Sequence, residues 1–194
     1  ALESCTDDSC AIYNDGDPLN EFGLLLNNRL GAGDPFTLNV QGGTIDALNS
    51  NGIQLVGQTG TDANLGIVLS SVTASGGAEG IRLTNTGGSL QITGTTSITA
   101  TSGDGIAMTG SSTAVTLGTT SVSAVGGVDA IEVAGNSGTV IFGNTTILGA
   151  GDDGSDVRQN SAPVTFGNVS VTGTLDDAIV VDGNSAVVTL GATS

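Results

Sequence analysis

The segment Asp104-Gly105-Ile106-Ala107-Met108-Thr109-Gly110, continued by Ala114-Val115-Thr116-Leu117-Gly118 and by Thr119-Thr120-Ser121-Val122-Ser123-Ala124, sets the pattern for the whole chain. Each of its three short stretches alternates apolar and polar residues with period two, as strands with one buried face do. The pattern returns on both sides at a spacing of about 24 to 25 residues, which marks a repeat architecture. Ile106 and Met108 have counterparts in Ile53/Leu55, Ile81/Leu83, Ile131/Val133, Ser155/Val157 and Ile179/Val181, and Ser155 alone interrupts the apolar column. Val115 and Leu117 match Leu90/Ile92, Val140/Phe142, Val164/Phe166 and Val188/Leu190, with Gly118, Gly143, Gly167 and Gly191 closing their stretches. Thr120 and Val122 match Thr96/Ile98, Thr145/Ile147 and Val169/Val171.

Strands this short cannot bury an apolar face alone, whereas stacked identical coils close a continuous interior. Gly, Asn, Ser and Asp gather between the stretches, where the chain must turn sharply. The expected fold is all-β: a right-handed, three-sided parallel β-helix with coils of about 24 to 25 residues. A sandwich would need hairpins with two-residue turn signals at shorter spacing, and none is evident.

The 194 residues suit a single solenoid, because each coil contacts only its neighbours and core size sets no limit. Nineteen acidic residues face Arg29, Arg82 and Arg158, with no lysine or histidine, for a formal charge of −16. No basic patch can be assembled from this set, which argues against nucleic acid and anionic membrane surfaces as partners. No apolar run approaches the roughly 18 residues of a membrane span. Without histidine, Ser-His and Cys-His nucleophilic catalysis are absent as well.

Residues 1–35 lack the coil pattern and are expected to form an N-terminal cap, with the β-helix occupying 36–194. Cys5 and Cys10 lie close together in an acidic segment, an arrangement that predicts a small disulfide loop and an exported chain. Two cysteines without histidine make a poor zinc site. Asp17-Pro18 opens a predicted short helix through Leu19, Phe22, Leu25, Leu26 and Leu30, ending at Gly31. Such a cap would cover the unpaired edges and open interior of the first coil. Extra residues around 58–64 predict a looped corner. The sequence stops in the third stretch of a coil, which leads to the expectation of a longer parent protein.

One column is acidic. Immediately before the first stretch stand Asn51, Glu79, Asp104, Asp129, Asp153 and Asp177, one per coil. Stacked carboxylates repel, and two devices could offset the repulsion. Each side chain could accept hydrogen bonds from N–H groups of its own turn. Alternatively Asp104, Asp129, Asp153 and Asp177 could hold calcium, because carboxylates and turn carbonyls are the ligands of a hard cation. The doubled Asp152-Asp153 and Asp176-Asp177 make that end the best place for such an ion. The Gly-Gly-x-Gly-x-Asp calcium repeat is absent.

On the outer face of the first stretch, Glu132 and Asp156 occupy equivalent positions, with Arg158 over Asp182. Paired carboxylates beside an arginine admit a glycosidase or lyase reading. The competing reading is a surface charge ladder in which Arg158 relieves acidic crowding. Asn136, Asn160 and Asn184 form a predicted structural ladder at a corner. The third stretch carries mixed Thr, Ser, Asn and Leu148 outward, as a solvated strand face does.

These coils, with their [Asp/Glu/Asn]-[Gly/Ala]-Ile-x-[Leu/Val/Met] and Gly-closed Val-x-[Leu/Phe] units, resemble the secreted right-handed β-helices of Gram-negative bacteria. They are similar to autotransporter passenger regions and filamentous-haemagglutinin-type adhesins over about four-fifths of the chain. The resemblance implies export through the envelope to the outer surface and a non-enzymatic role as stalk or adhesin. The implied partner is a surface glycan, a protein receptor or another copy of the chain. It assigns no individual functional residue. The alternatives are a carbohydrate-active β-helix enzyme and a calcium-dependent filament or surface-layer subunit.

Overall fold

A computed structural model describes residues 10–11, 23–27, 37–57, 63–123, 126 and 128–194. They form a parallel β-solenoid, with strands stacked in three columns and no helix among them. The first column runs through Leu24–Asn27, Ile53–Val56, Ile81–Thr84, Ile106–Thr109, Ile131–Ala134, Ser155–Arg158 and Ile179–Asp182. The second contains Thr37–Gln41, Ala63–Leu69, Val140–Phe142, Val164–Phe166 and Val188–Leu190. The third contains Thr44–Ser50, Ser71–Gly76, Thr145–Leu148 and Val169–Thr172. Two long strands, Thr86–Thr99 and Ala114–Ser123, pass round the corner and belong to both the second and third columns.

Register follows the repeat. Ile81, Ile106 and Ile131 lie over one another, and Ser155 takes the same place between Ile131 and Ile179. Coils span 28 residues between Asn51 and Glu79, 25 between Thr84 and Thr109, and 24 between Asn136 and Asn160. The inward side chains form one apolar core along the stack, with Ile53, Ile81, Ile106, Ile131, Val140 and Ile147 fully covered. Phe142 and Phe166 stack inside it with ring centroids 4.6 Å apart and planes at 5°. At the corner after each second-column strand the coils approach so closely that a Cβ on Gly143 would lie 2.5 Å from the Gly118 carbonyl oxygen. Only glycine fits there.

The predicted helix over 19–30 is corrected where the chain is described. Leu24–Asn27 is a strand, parallel to Ile53–Val56 with Leu24 over Ile53, and antiparallel to Cys10–Ala11. Three consecutive leucines carry no decisive period, and the first coil offers Leu24 a buried site on Ile53 that outweighs helical propensity. Cys10–Ala11 is the outermost strand of the first column, paired with Leu25 and Leu26. Cys5, the other residues of the expected helix, and 58–62 lie outside the described residues; Ala63 and Asn64 already belong to a strand.

The third column has an inward row of Val72, Thr96, Thr120, Thr145 and Val169. The Oγ1 atoms of Thr96 and Thr120 are buried without a hydrogen-bond partner. Valine has the same shape and already fills this row on either side of the three threonines, at Val72 and Val169. Removing an unpaired buried hydroxyl recovers about 1 kcal/mol or more of desolvation penalty. Thr120→Val is therefore expected to raise stability by about 1 kcal/mol in chemical denaturation; a loss of similar size would show that the hydroxyl is satisfied.

Candidate functional site in the acidic column

Parallel stacking brings the turn before each first-column strand directly beside the same turn in the next coil, so the acidic residues of the sequence fall into one file. The backbone N–H of Glu79 donates to Asn51 Oδ1 at 3.1 Å, that of Asp153 to Asp129 Oδ1 at 3.2 Å, and that of Asp177 to Asp153 Oδ1 at 2.9 Å. The donor in each pair comes from the following coil, whereas the sequence suggested the residue's own turn. The reason is geometric: neighbouring coils lie about 4.8 Å apart, within reach of one short side chain. Carboxylates and asparagine here act as inter-coil clasps.

At the N-terminal end of the file, Asn51 Nδ2 donates to Glu79 Oε2 at 3.1 Å, and Arg82 lies 3.3 Å from Glu79 Oε1. Among the described residues the arginine ion pairs go to Glu79, Glu132 and Asp156, and none to Asp104 or Asp129. Burial pushes the Asp104 carboxyl up to about 6, reinforced by the charges of Glu132 and Asp129 and opposed by the N–H of Asp129. Burial also pushes Asp129 up to about 6; the N–H of Asp153 opposes this, and Asp156, Asp153 and Asp152 add to it. These two carboxyls are the strained part of the column.

Glu132 and Asp156 are register partners on the outer face. Arg158 joins them, Nη2 to Glu132 Oε1 and Nη1 to Asp156 Oδ2. Asp156 is buried and its Oδ1 has no hydrogen-bond partner. Burial raises its pKa against the lowering influence of Arg158. One guanidinium thus serves two carboxylates in adjacent coils, which is how an arginine relieves acidic crowding. Arg158 also lies in register with Asp182.

Carboxylate oxygens of Asp152, Asp153 and Asp176 lie within 4.8 Å of one another. Of the four aspartates predicted as calcium ligands, Asp153 joins this group, while Asp104, Asp129 and Asp177 do not. The doubled aspartates were the signal for Asp152 and Asp176. Three carboxylates suit a hard cation chemically, and the six to eight oxygens that calcium takes would require carbonyls or water in addition.

The asparagine ladder takes the predicted form. Asn136 N–H donates to Asn160 Oδ1 and Asn160 N–H to Asn184 Oδ1, each at 2.9 Å. The file extends upward through hydroxyls, which the sequence reading missed: Ser111 N–H donates to Asn136 Oδ1 at 2.9 Å and Thr86 N–H to Ser111 Oγ at 3.2 Å. Ser155 points inward and is buried, its Oγ unpartnered.

No family model, no curated protein and no solved structure matches this chain.

Proposed function

We propose that this chain is a non-enzymatic scaffold of the cell exterior, a stalk or adhesin that works through its solenoid faces. The observation that carries this reading is the partition of charge. From Ala63 onward every charged residue stands in the first column or in the turn leading into it, from Glu79 and Arg82 to Asp182. The second and third columns have no charged residue in that span, and Asp46 is the one described exception before it. A rod with one anionic face and two neutral ones keeps itself soluble through the first while offering the others for contact. The partners that suit it are a surface glycan, a protein receptor or another copy of the chain.

Display of the chain on non-adherent cells tests the reading. Adherence to glycan-coated or protein-coated surfaces, or clumping of the displaying cells, is the expected result, and display without either would overturn it. Calcium would act as a stiffener at Asp152, Asp153 and Asp176. Saturation at 100 times the dissociation constant would add about 2.7 kcal/mol of stability. A calcium-specific rise in Tm, absent with magnesium and lost in a Asp153→Asn, Asp176→Asn chain, is expected. Equal melting in calcium and chelator would leave these acids as surface charge.

The grouping of Glu132, Asp156 and Arg158 supports a second reading, a carbohydrate-active enzyme. Polysaccharide turnover lost on Glu132→Gln would establish it in place of the scaffold.

A further inference from the structure

The outward rows of the third column have an unusual symmetry. One row reads Leu48, Ser75, Thr99, Ser123, Leu148, Thr172 along the stack. Its first five members read the same in both directions about Thr99, and Thr172 lies one coil beyond them. The row beside it reads Asp46, Thr73, Ser97, Ser121, Thr146, Ser170; about Ser97 in the same strand it sets Thr73 opposite Ser121 and the Asp46 carboxylate opposite the Thr146 hydroxyl. Leu48 and Leu148 are 58% and 50% exposed, large aliphatic side chains standing in water on an otherwise hydroxyl-rich face. Four coil steps of about 4.8 Å separate them.

A surface that joins two copies about a two-fold axis must be complementary to itself: where residue i meets residue j, residue j meets residue i. A palindromic row meets that requirement when the stacks run antiparallel and the axis lies along the central strand. We infer that the third face is such a self-association surface, with Leu48 of each copy against Leu148 of the other and Thr99 of both copies on the axis. Apolar side chains then meet apolar ones, Ser75 meets Ser123, Thr73 meets Ser121, and Asp46 meets the hydroxyl of Thr146. Charge selects the same arrangement. Each chain has a net charge of −16, and the third face has Asp46 as its sole described charged residue. Contact through this face leaves the acidic columns of both copies outside the interface, where contact through the first column would press them together. The inference rests on the scaffold reading and specifies its partner as a second copy.

Sedimentation equilibrium of the full chain at physiological salt provides the test. Wild type is expected to dimerise. Leu48→Asp and Leu148→Asp should each raise the dissociation constant by at least about tenfold, because a two-fold interface contains every substitution twice and these are its aliphatic anchors. Both positions are exposed, and unchanged far-UV circular dichroism would show that the variants fold. The combined chain Leu48→Asp, Leu148→Arg should recover dimerisation, since the two positions face each other across the antiparallel pair. A parallel pair would set like charge on like charge and stay apart. A monomeric wild type, a dimer indifferent to both aspartates, or a combined chain that fails to recover would each overturn the proposal. Display separates this from the broader reading. A monomeric chain that still holds cells to a glycan or receptor removes the interface and keeps the scaffold, whereas a monomeric chain without adherence removes both.

Discussion

Asn160→Ala is expected to cause the largest loss of stability of any single substitution considered for this chain. Asn160 is fully buried and its side chain connects three coils. Its Oδ1 accepts the backbone N–H of Asn136 at 2.9 Å and Asn136 Nδ2 at 3.2 Å. Its Nδ2 donates to the Val133 carbonyl at 2.8 Å and to Asn184 Oδ1 at 2.9 Å. Alanine removes all four bonds. Asn136 Nδ2 retains the Met108 carbonyl, and Asn184 Oδ1 retains the N–H of residue 160. The Asn136 N–H loses its acceptor inside the stack, while the Val133 carbonyl stays within the strand ladder beside Val157. A buried group left unsatisfied costs about 1–3 kcal/mol, so a loss of about 2–4 kcal/mol is expected for it and the accompanying void. Serine should lose roughly half as much, because a hydroxyl still accepts one N–H. Ser111 does this for Thr86 in the same file. Chemical denaturation followed by circular dichroism measures the order Asn, Ser, Ala; equal stability of the three would reduce the ladder to decoration. In a solenoid the damage is local, so the Ala transition should also broaden or split as the coils beyond the break unfold first.

The same ladder shows why so much of the fold was legible in the sequence. When each coil touches only its neighbours, a residue's spatial neighbour is the one a single repeat away, and the alignment of repeats is already a contact map. Ile81 over Ile106 over Ile131, Glu132 beside Asp156 and Arg158 beside Asp182 all follow from counting. What did not follow depends on direction and depth. The acceptor role of Asp129 and Asp153 was legible, but the donor that satisfies each lies one coil further on, outside any local turn motif. Thr86 and Ser111 were missed because serine and threonine occur throughout the chain and single out no position. Leu24-Leu25-Leu26 fits a helix and a strand equally well, and only the exposed edge of the first coil decides between them. The acidic file looked uniform by type, yet burial divides it: Asp129 is covered, whereas Asp152, Asp176 and Asp177 stand in solvent.

That division predicts an inverted response to acid. Most proteins lose stability as pH falls because their carboxylates are paired in the native state. Here Asp104 and Asp129 have folded pKa values near 6, above the value of 3.8 that the unfolded chain would show. Below 3.8 both states are protonated and the contribution of these groups is fully present. Between 3.8 and 6 the unfolded state ionises while the folded state holds its protons, so stability falls as pH rises; above 6 both are ionised and the contribution is gone. Lowering the pH from 7 to about 4.5 should therefore raise Tm. After discounting for solvent screening at these partly accessible carboxyls, the gain is on the order of 1–2 kcal/mol for each. Asp129→Asn should reproduce part of that gain at pH 7 and flatten the pH profile. An amide keeps the Oδ1 that the Asp153 N–H needs, as Asn51 shows by accepting the N–H of Glu79 at 3.1 Å in the same column. It also removes the like charge that Asp129 sets against Asp104. Melting curves of the two proteins at half-unit pH steps would separate the outcomes. A wild-type Tm that falls steadily from pH 7 to 4.5 would mean that paired carboxylates elsewhere dominate. If Asp129→Asn instead lowered Tm at pH 7, the charge at this position would be holding the coils together, and a cation bound between carboxylates would be the physical reason to test next.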